Sequence, residues 1–388
     1  MHLLILSDDF PSKGRPSFVF VQQLVHALVK LGVQVSVVAP QSLTHALIHG
    51  QKLLPKLYRV DLEGGCHYNV YRPYSLSFGN NGNLFASLFR WFNQWSIDAV
   101  LKRIAPDVLY GHFWHSANIL SCYAVKSKQP LFVACGEGDN AIEELVSLIS
   151  NGDLTRLKNS VKGVISVSSA NKRKCIEYGL AQADDIIVLP NCIDETLFNA
   201  VGEKEREAIR HRLGIGVDDY LVLFVGGFIP RKGADRVSRA IDKINNPHLK
   251  SAFIGKAMAG VESQPNCKGI IFKGTLEHNM LPDYYRAADV FCLPTLNEGC
   301  CNAIVESLSC GTPVISSARP FNDDILNDEN SIRIDPESVD EIADAIMKLI
   351  NDKEAYKSMK QYALKHSCDY SIGARARKII AFIQSRIR

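Results

Sequence analysis

Asn297-Glu298-Gly299-Cys300-Cys301-Asn302-Ala303-Ile304-Val305-Glu306 runs without a break into Ser307-Leu308-Ser309-Cys310-Gly311-Thr312-Pro313-Val314-Ile315. The apolar run Val290–Leu293 before it reads as a strand, and the small residues from Gly299 to Asn302 as the entry to a helix. Gly311 and Pro313 end that helix and start the next strand. Such a strand, loop, helix and strand is the repeating unit of a parallel sheet, whose ligands bind at the carboxyl ends of the strands. Small residues entering a helix expose backbone N–H groups and the positive end of its dipole, which suits a phosphate. Glu298 precedes the helix and Glu306 lies about one turn inside it, so the two carboxylates can reach different hydroxyls of one extended ligand. On its own, a glutamate in the first turns of a helix would simply complement the dipole.

The same grammar extends outward in both directions. At the start, Leu3–Ser7 reads as a strand, a turn follows with Pro11, Gly14 and Pro16, and Val21, Leu24, Val25 and Leu28 then mark one face of a helix. Gly32 sits where a helix C-cap belongs, and Val33–Val38 is a near-continuous β-branched run of the kind buried on both faces of a parallel sheet. Asp107–Tyr110, Leu131–Cys135, Val164–Val167 and Ile186–Leu189 continue the first sheet. Leu221–Val225, Ala252–Ile254, Gly269–Phe272, Val290–Leu293, Pro313–Ser316 and Ile332–Ile334 form a second. A chain of 388 residues exceeds one ordinary core. The turn-rich Pro190-Asn191-Cys192-Ile193-Asp194 marks the boundary. The expected division is 1–190, 191–371 and a C-terminal helix 372–388 that crosses back to the first domain. The fold class is α/β, two Rossmann-like doubly wound parallel sheets facing a central cleft.

Bulk properties narrow the function. Hydrophobic residues at 46% and charged residues at 22% are ordinary for a globular chain. A net charge of +3 gives no footprint for nucleic acid. No apolar run is long enough to span a bilayer, and the first strand lacks a basic n-region, so the expected place is the cytoplasm. Eleven scattered cysteines, none in a C-x-x-C pair, fit reduced buried thiols, and His112 with His115 is not by itself a metal site. Arg59, Arg72, Arg90, Lys102, Arg103, Lys172, Arg173 and Lys174 leave room for a basic face toward anionic lipid or a phosphorylated acceptor, though ordinary solvated charges are the simpler reading. The aromatic stretch from Leu84 to Trp95 reads as a helix packed on the first sheet, with contact at a bilayer interface as the alternative.

A second motif, Phe224-Val225-Gly226-Gly227-Phe228-Ile229-Pro230-Arg231-Lys232-Gly233, sets a strand and glycine turn before adjacent cations. Cations held at a diphosphate stabilise the charge that grows on a leaving group. Together these segments resemble family 4 glycosyltransferases, retaining enzymes of the GT-B fold with a Glu-x7-Glu signature. The Leu-Pro-Thr of 293–295 and the Cys-Gly-Thr-Pro-Val of 310–314 belong to the likeness.

The resemblance implies that Glu298 meets the transferred sugar and Glu306 the ribose, with the backbone of Gly299, Cys300, Cys301 and Asn302 near the sugar and diphosphate. Lys232 falls on the family's phosphate-binding lysine. Gly227 stands where that family has an arginine, a duty Arg231 is expected to take over. Pro190 to Asp194 with Phe198 is similar to the interdomain element, and Gly274 through Tyr285 to the region holding the nucleobase. The first loop offers only Gly14 in place of the family's glycine pair. Cys135 replaces a histidine common near the reacting sugar, leaving Glu137 or Asp139 as candidates to face the substrate, with a turn carboxylate on solvent as the equal alternative for either.

The implied activity is transfer of a sugar from a nucleotide-diphosphate sugar, of UDP by expectation, to a saccharide or lipid-linked acceptor in cell-surface polysaccharide or glycolipid synthesis. It proceeds with retention and without an obligatory metal or other cofactor, at or near the inner face of the membrane. A sugar-nucleotide epimerase and a non-catalytic nucleotide-sugar-binding subunit are the alternatives.

Overall fold

A strand covered on both faces by helices must be apolar along its whole length, and the central strands of this chain meet that condition. The computed structural model describes residues 1–12, 17–77, 86–137, 141–257 and 263–387. Two units emerge: Met1–Val167 with Asn171–Leu189 and Arg375–Arg388, and Ser168–Ala170 with Pro190–Ala374.

In the first unit β1 (His2–Leu6), α1 (Val19–Lys30) and β2 (Gln34–Val38) form the opening βαβ unit. They are followed by β3 (Gln41–Ser42), α2 (Leu43–Ile48), β4 (Leu57–Asp61), β5 (His67–Tyr71), β6 (Tyr74–Ser75) and α3 (Ala86–Ile104). Then come β7 (Val108–His112), α4 (Trp114–Ser127), β8 (Leu131–Cys135), α5 (Ala141–Leu148), α6 (Asn151–Ser160), β9 (Val161–Ser166), α7 (Ser169–Glu177) and β10 (Ile186–Val188). The strand order is β10-β9-β8-β7-β1-β2-β5-β4, parallel except where β4 pairs antiparallel with β5. That edge hairpin was not expected, because Leu57–Asp61 alternates with solvent and lacks the apolar run of a central strand. Its turn carries Gly64 and Gly65 at φ 82° and 77°, a conformation that glycine adopts without strain.

The second unit holds α8 (Glu203–Arg212), β11 (Tyr220–Val225), α9 (Ala234–Ile244), β12 (Leu249–Ile254), β13 (Ile270–Gly274), α10 (Leu281–Ala287), β14 (Val290–Leu293) and α11 (Asn302–Ser309). β15 (Val314–Ser317), β16 (Ser331–Ile334), α12 (Val339–Asn351) and α13 (Lys353–His366) complete it, and α14 (Ile372–Ile387) closes the chain. Its six strands are all parallel in the order β13-β12-β11-β14-β15-β16. Asp289, just before β14, accepts from Arg206, Arg210 and the Leu221 N–H at 2.6, 2.9 and 2.7 Å, which fixes α8 to the amino ends of β11 and β14. From the last helix, the Phe382 ring meets Phe132 of the first unit edge to face at 6.1 Å. A side chain on Gly163 would come within 2.8 Å of the same ring.

The strand order reverses direction between β7 and β1 in the first unit and between β11 and β14 in the second. These switch points leave a crevice at the carboxyl ends of the strands, because the crossover connections diverge there.

Candidate functional site

The loops after β11 and β14 flank the second unit's switch point. Sequence fixes their paths at two glycines. A Cβ on Gly255 would sit 1.8 Å from the Gly226 carbonyl oxygen. Gly233 has φ 79°, and a Cβ there would lie 2.6 Å from Arg236 Nη2. The buried Arg236 then ties the loops together, donating to the Pro230 and Pro294 carbonyls at 2.9 and 2.8 Å, while the Leu296 N–H donates to Arg231 O at 2.9 Å.

This frame brings both cations of the glycine loop to Glu298. Arg231 Nη1 donates to Glu298 Oε1 at 2.8 Å, Lys232 Nζ contacts the same oxygen, and the Thr295 hydroxyl donates to it at 2.9 Å. Two cations and one carboxylate leave a net positive charge where the helix dipole of α11 is also positive. Lys232 and Glu298 are 16% and 14% exposed, whereas Arg231 is 44% exposed and more screened by water. A side chain on Gly227 would meet only Lys256 O, at 3.9 Å, so nothing steric excludes an arginine there. Arg231→Ala is expected to lower turnover by about tenfold, and steady-state kinetics with the thermal midpoint as a folding control checks it.

Glu306 has other partners. It is buried inside α11, accepts from the Tyr285 hydroxyl at 2.8 Å through Oε2, and pairs with His278 Nε2 at 3.2 Å through Oε1. The hydrogen bond to Glu306 holds the His278 pKa above its ordinary value, and burial with the Glu306 charge raises the Tyr285 phenol. Phe198 packs against both rings, at 5.0 Å from His278 and 6.0 Å from Tyr285. Gly299, Cys300 and Cys301 are buried in the loop entering α11, and Asn302 is its first residue. Asn191 Nδ2 donates to Cys300 O at 3.0 Å and to Asn302 Oδ1 at 2.8 Å. The Pro-Asn turn, expected only to mark a boundary, therefore also positions this loop. Thr295, His278 and Asn191 were not among the residues expected at the site. The Leu-Pro-Thr and Pro-Asn motifs signalled two of them.

In the first unit Gly14 and Asp139 lie outside the described residues. Glu137, expected to face substrate, instead turns its carboxyl onto backbone: it accepts from the Trp114 N–H at 2.6 Å and the Gly136 N–H at 2.9 Å. It thus serves the N-terminus of α4, and burial pushes its pKa up to about 7. Cys135 is fully buried, its sulfur 3.6 Å from that of Cys175. His112 is buried among Phe20 and Phe113, which drives its pKa down to about 3, with the Arg375 charge adding to the effect. His115 does not pair with it but with Asp8, at 2.9 Å. Among the described residues no cluster of metal-ligating side chains occurs. Arg72, counted as a surface cation, is 2% exposed and donates to Phe10 O at 2.6 Å. It lines a pocket of about 460 Å3 with Asp8, Asp9, Ser42, His45 and His115, at the carboxyl ends of β1 and β2. The Asp8-Asp9 pair marked the end of the first strand in the sequence, but which side chains would surround it was not legible.

Comparison with known proteins is consistent across the chain. Residues 18–197 match the model described as Glycosyltransferase Family 4, and residues 205–366 that described as Glycosyl transferases group 1. TuaC of Bacillus subtilis (strain 168), a glycosyltransferase whose assignment to teichuronic acid biosynthesis is provisional, is 26% identical over 361 residues, 90% of this chain and 89% of TuaC. Sucrose-phosphate synthase from Thermosynechococcus elongatus superposes with a TM-score of 0.74 at 17% identity, covering 99% of this chain and 98% of that one. HepE of Anabaena, solved in complex with UDP, gives 0.73 at 16% identity, covering 99% and 100%. The two Rossmann-like units are those of the GT-B fold.

Proposed function

We propose, from the premise that this chain is a GT-B glycosyltransferase of the family 4 and group 1 type, that it transfers a sugar from a UDP-sugar to a saccharide or lipid-linked acceptor with retention of configuration. The observation that carries the reading is the convergence of Lys232, Arg231 and Thr295 on Glu298 beside the N-terminus of α11. Lys232, Arg231 and the helix dipole would neutralise the diphosphate as it leaves, a role otherwise given to a divalent ion, so no metal is required. Glu298, oriented by three donors, would accept hydroxyl hydrogens of the sugar, and Glu306 those of the ribose. Tyr285 and Phe198 lie beside Glu306, where the nucleoside would continue.

The polar pocket of the first unit, with Asp8, Asp9 and Arg72 on its wall, is our candidate for the acceptor. The likeness to TuaC and the UDP bound by HepE support a UDP-sugar used in cell-surface polysaccharide or glycolipid synthesis, with the enzyme acting in the cytoplasm.

A thermal-shift series with nucleotide diphosphates and their sugars tests the reading, because a ligand that binds the native state raises its midpoint by mass action. UDP and at least one UDP-sugar are expected to raise the midpoint by several degrees at about 100 times Kd, unchanged by a chelator. A flat response to every nucleotide diphosphate would overturn the proposal. Product analysis by NMR then reads the anomeric configuration, and turnover without an acceptor would favour an epimerase instead.

A further inference from the structure

The glycine turn after β11 leaves a position at the donor site with no side chain, at Gly227. Arg231, expected to take over the duty of an arginine there, is committed elsewhere: its Nη1 donates to the Asn297 carbonyl as well as to Glu298 Oε1. The position beside Gly227 is taken by another cation. Past the carboxyl ends of β11 and β12 the two segments keep running side by side. Val225 is opposite Ile254 at the end of the strands, and Phe228 is opposite Ala257 in a parallel bridge three residues further along each segment. The Gly226 N–H donates to Ile254 O at 2.9 Å and the Phe228 N–H to Lys256 O at 3.0 Å. Equal steps on both sides set Gly227 next to Lys256, about 4.8 Å apart by the spacing of neighbouring strands. A Cβ built on Gly227 meets the Lys256 carbonyl oxygen at 3.9 Å, as that register requires.

Lys256 is exposed, and among the described residues no hydrogen bond or ion pair engages its ammonium. Other lysines of this sheet are occupied: Lys250 and Lys273 donate to the Pro247 and Pro265 carbonyls at 3.0 and 2.9 Å. A lysine carries a compact charge on a flexible four-carbon stem, so it can reach across a neighbouring glycine to an anion. Two cations rooted so close together would repel, which makes a lysine at 256 and an arginine at 227 alternative ways to place one charge.

We propose that Lys256 binds the diphosphate of the donor, supplying from the end of β12 the cation that Gly227 does not supply from the end of β11. The inference rests on the reading that this unit holds a nucleotide-diphosphate sugar, and it adds a residue that grips the phosphates. Lys232 shares its charge with Glu298, whereas Lys256 brings a charge that no carboxylate offsets. Charge grows on the diphosphate as the sugar departs, so a cation held there assists the transfer as well as the binding.

Moving the charge from one strand end to the other tests the proposal in the full chain, with UDP as the probe in isothermal titration and the ligand-free thermal midpoint as the folding control. Lys256→Ala is expected to weaken UDP binding about tenfold, the scale of one hydrogen bond to a charged group, and to flatten its dependence on salt. Lys256→Arg should stay within about threefold of wild type, and Gly227→Arg added to the alanine variant should restore most of the loss. In the wild-type background Gly227→Arg should gain less than in the alanine variant, since the two positions serve one charge. Undiminished UDP affinity in Lys256→Ala would overturn the inference while leaving the donor reading intact. A loss that Gly227→Arg fails to repair would overturn it too, because the missing charge would then not belong at that position. Wild-type protein that binds no nucleotide diphosphate would overturn both.

Discussion

Replacing Lys232 by alanine is expected to lower kcat/KM by about 10²–10³-fold, the loss typical of one preorganised group facing developing charge. Lys232 is less exposed than Arg231, so its charge is less screened, and its loop path is fixed by Gly233, Gly255 and the buried Arg236. The substitution also leaves Glu298 to Arg231 and Thr295 alone, so the carboxylate loses the partner that shares its burial. The measurement is kcat/KM for the donor, with the thermal midpoint confirming that the fold is retained. A value within about threefold of wild type would remove Lys232 from the chemistry and leave the electrostatic argument without its principal group.

The second large effect concerns Glu306. Glu306→Gln keeps the size of the side chain and an oxygen to accept from Tyr285, but removes the charge that pairs with His278. We expect the donor KM to rise by about 10- to 100-fold with a smaller change in kcat, since a contact to ribose is made equally in the ground and transition states. The pair also gives a pH signature. The folded-state pKa of His278 is raised by its hydrogen bond to Glu306, so the stabilisation is complete below the ordinary value of about 6.5 and is lost as pH rises through the raised one. The gap in thermal midpoint between wild type and Glu306→Gln should therefore be wide at acid pH and close as the solution becomes alkaline. A gap independent of pH would show that the His278 contact contributes nothing.

Local pattern was enough for much of this molecule. Val33–Val38 and Val290–Leu293 announced buried parallel strands, because a strand covered on both sides tolerates few polar residues. Gly32 and Gly311, at φ 81° and 77°, stood where helix ends were read from sequence. The β4–β5 hairpin escaped although Gly64-Gly65 is a strong turn signal, since β4 lies at the sheet edge and both strands carry the weaker alternating pattern. Arg72 was misread for a different reason. Its type predicts exposure, and only the tertiary fold supplies the Phe10 carbonyl and Tyr58 that accompany its burial.

The two α/β units, the loops that carry Lys232 and Glu298, and the entry to α11 were legible in short stretches of residues, because hydrophobic period, glycine conformation and helix capping act over a few residues. Partnership came from the folded chain. Lys232 and Arg231 share one oxygen of Glu298 across 66 and 67 intervening steps of chain, Glu306 belongs to Tyr285 and His278, Glu137 is spent on the N-terminus of α4, and the tryptophans of α3 face outward. Such pairings depend on which strands become neighbours at a switch point and on which helix face finds a sheet. Those are long-range outcomes of packing that no local pattern encodes.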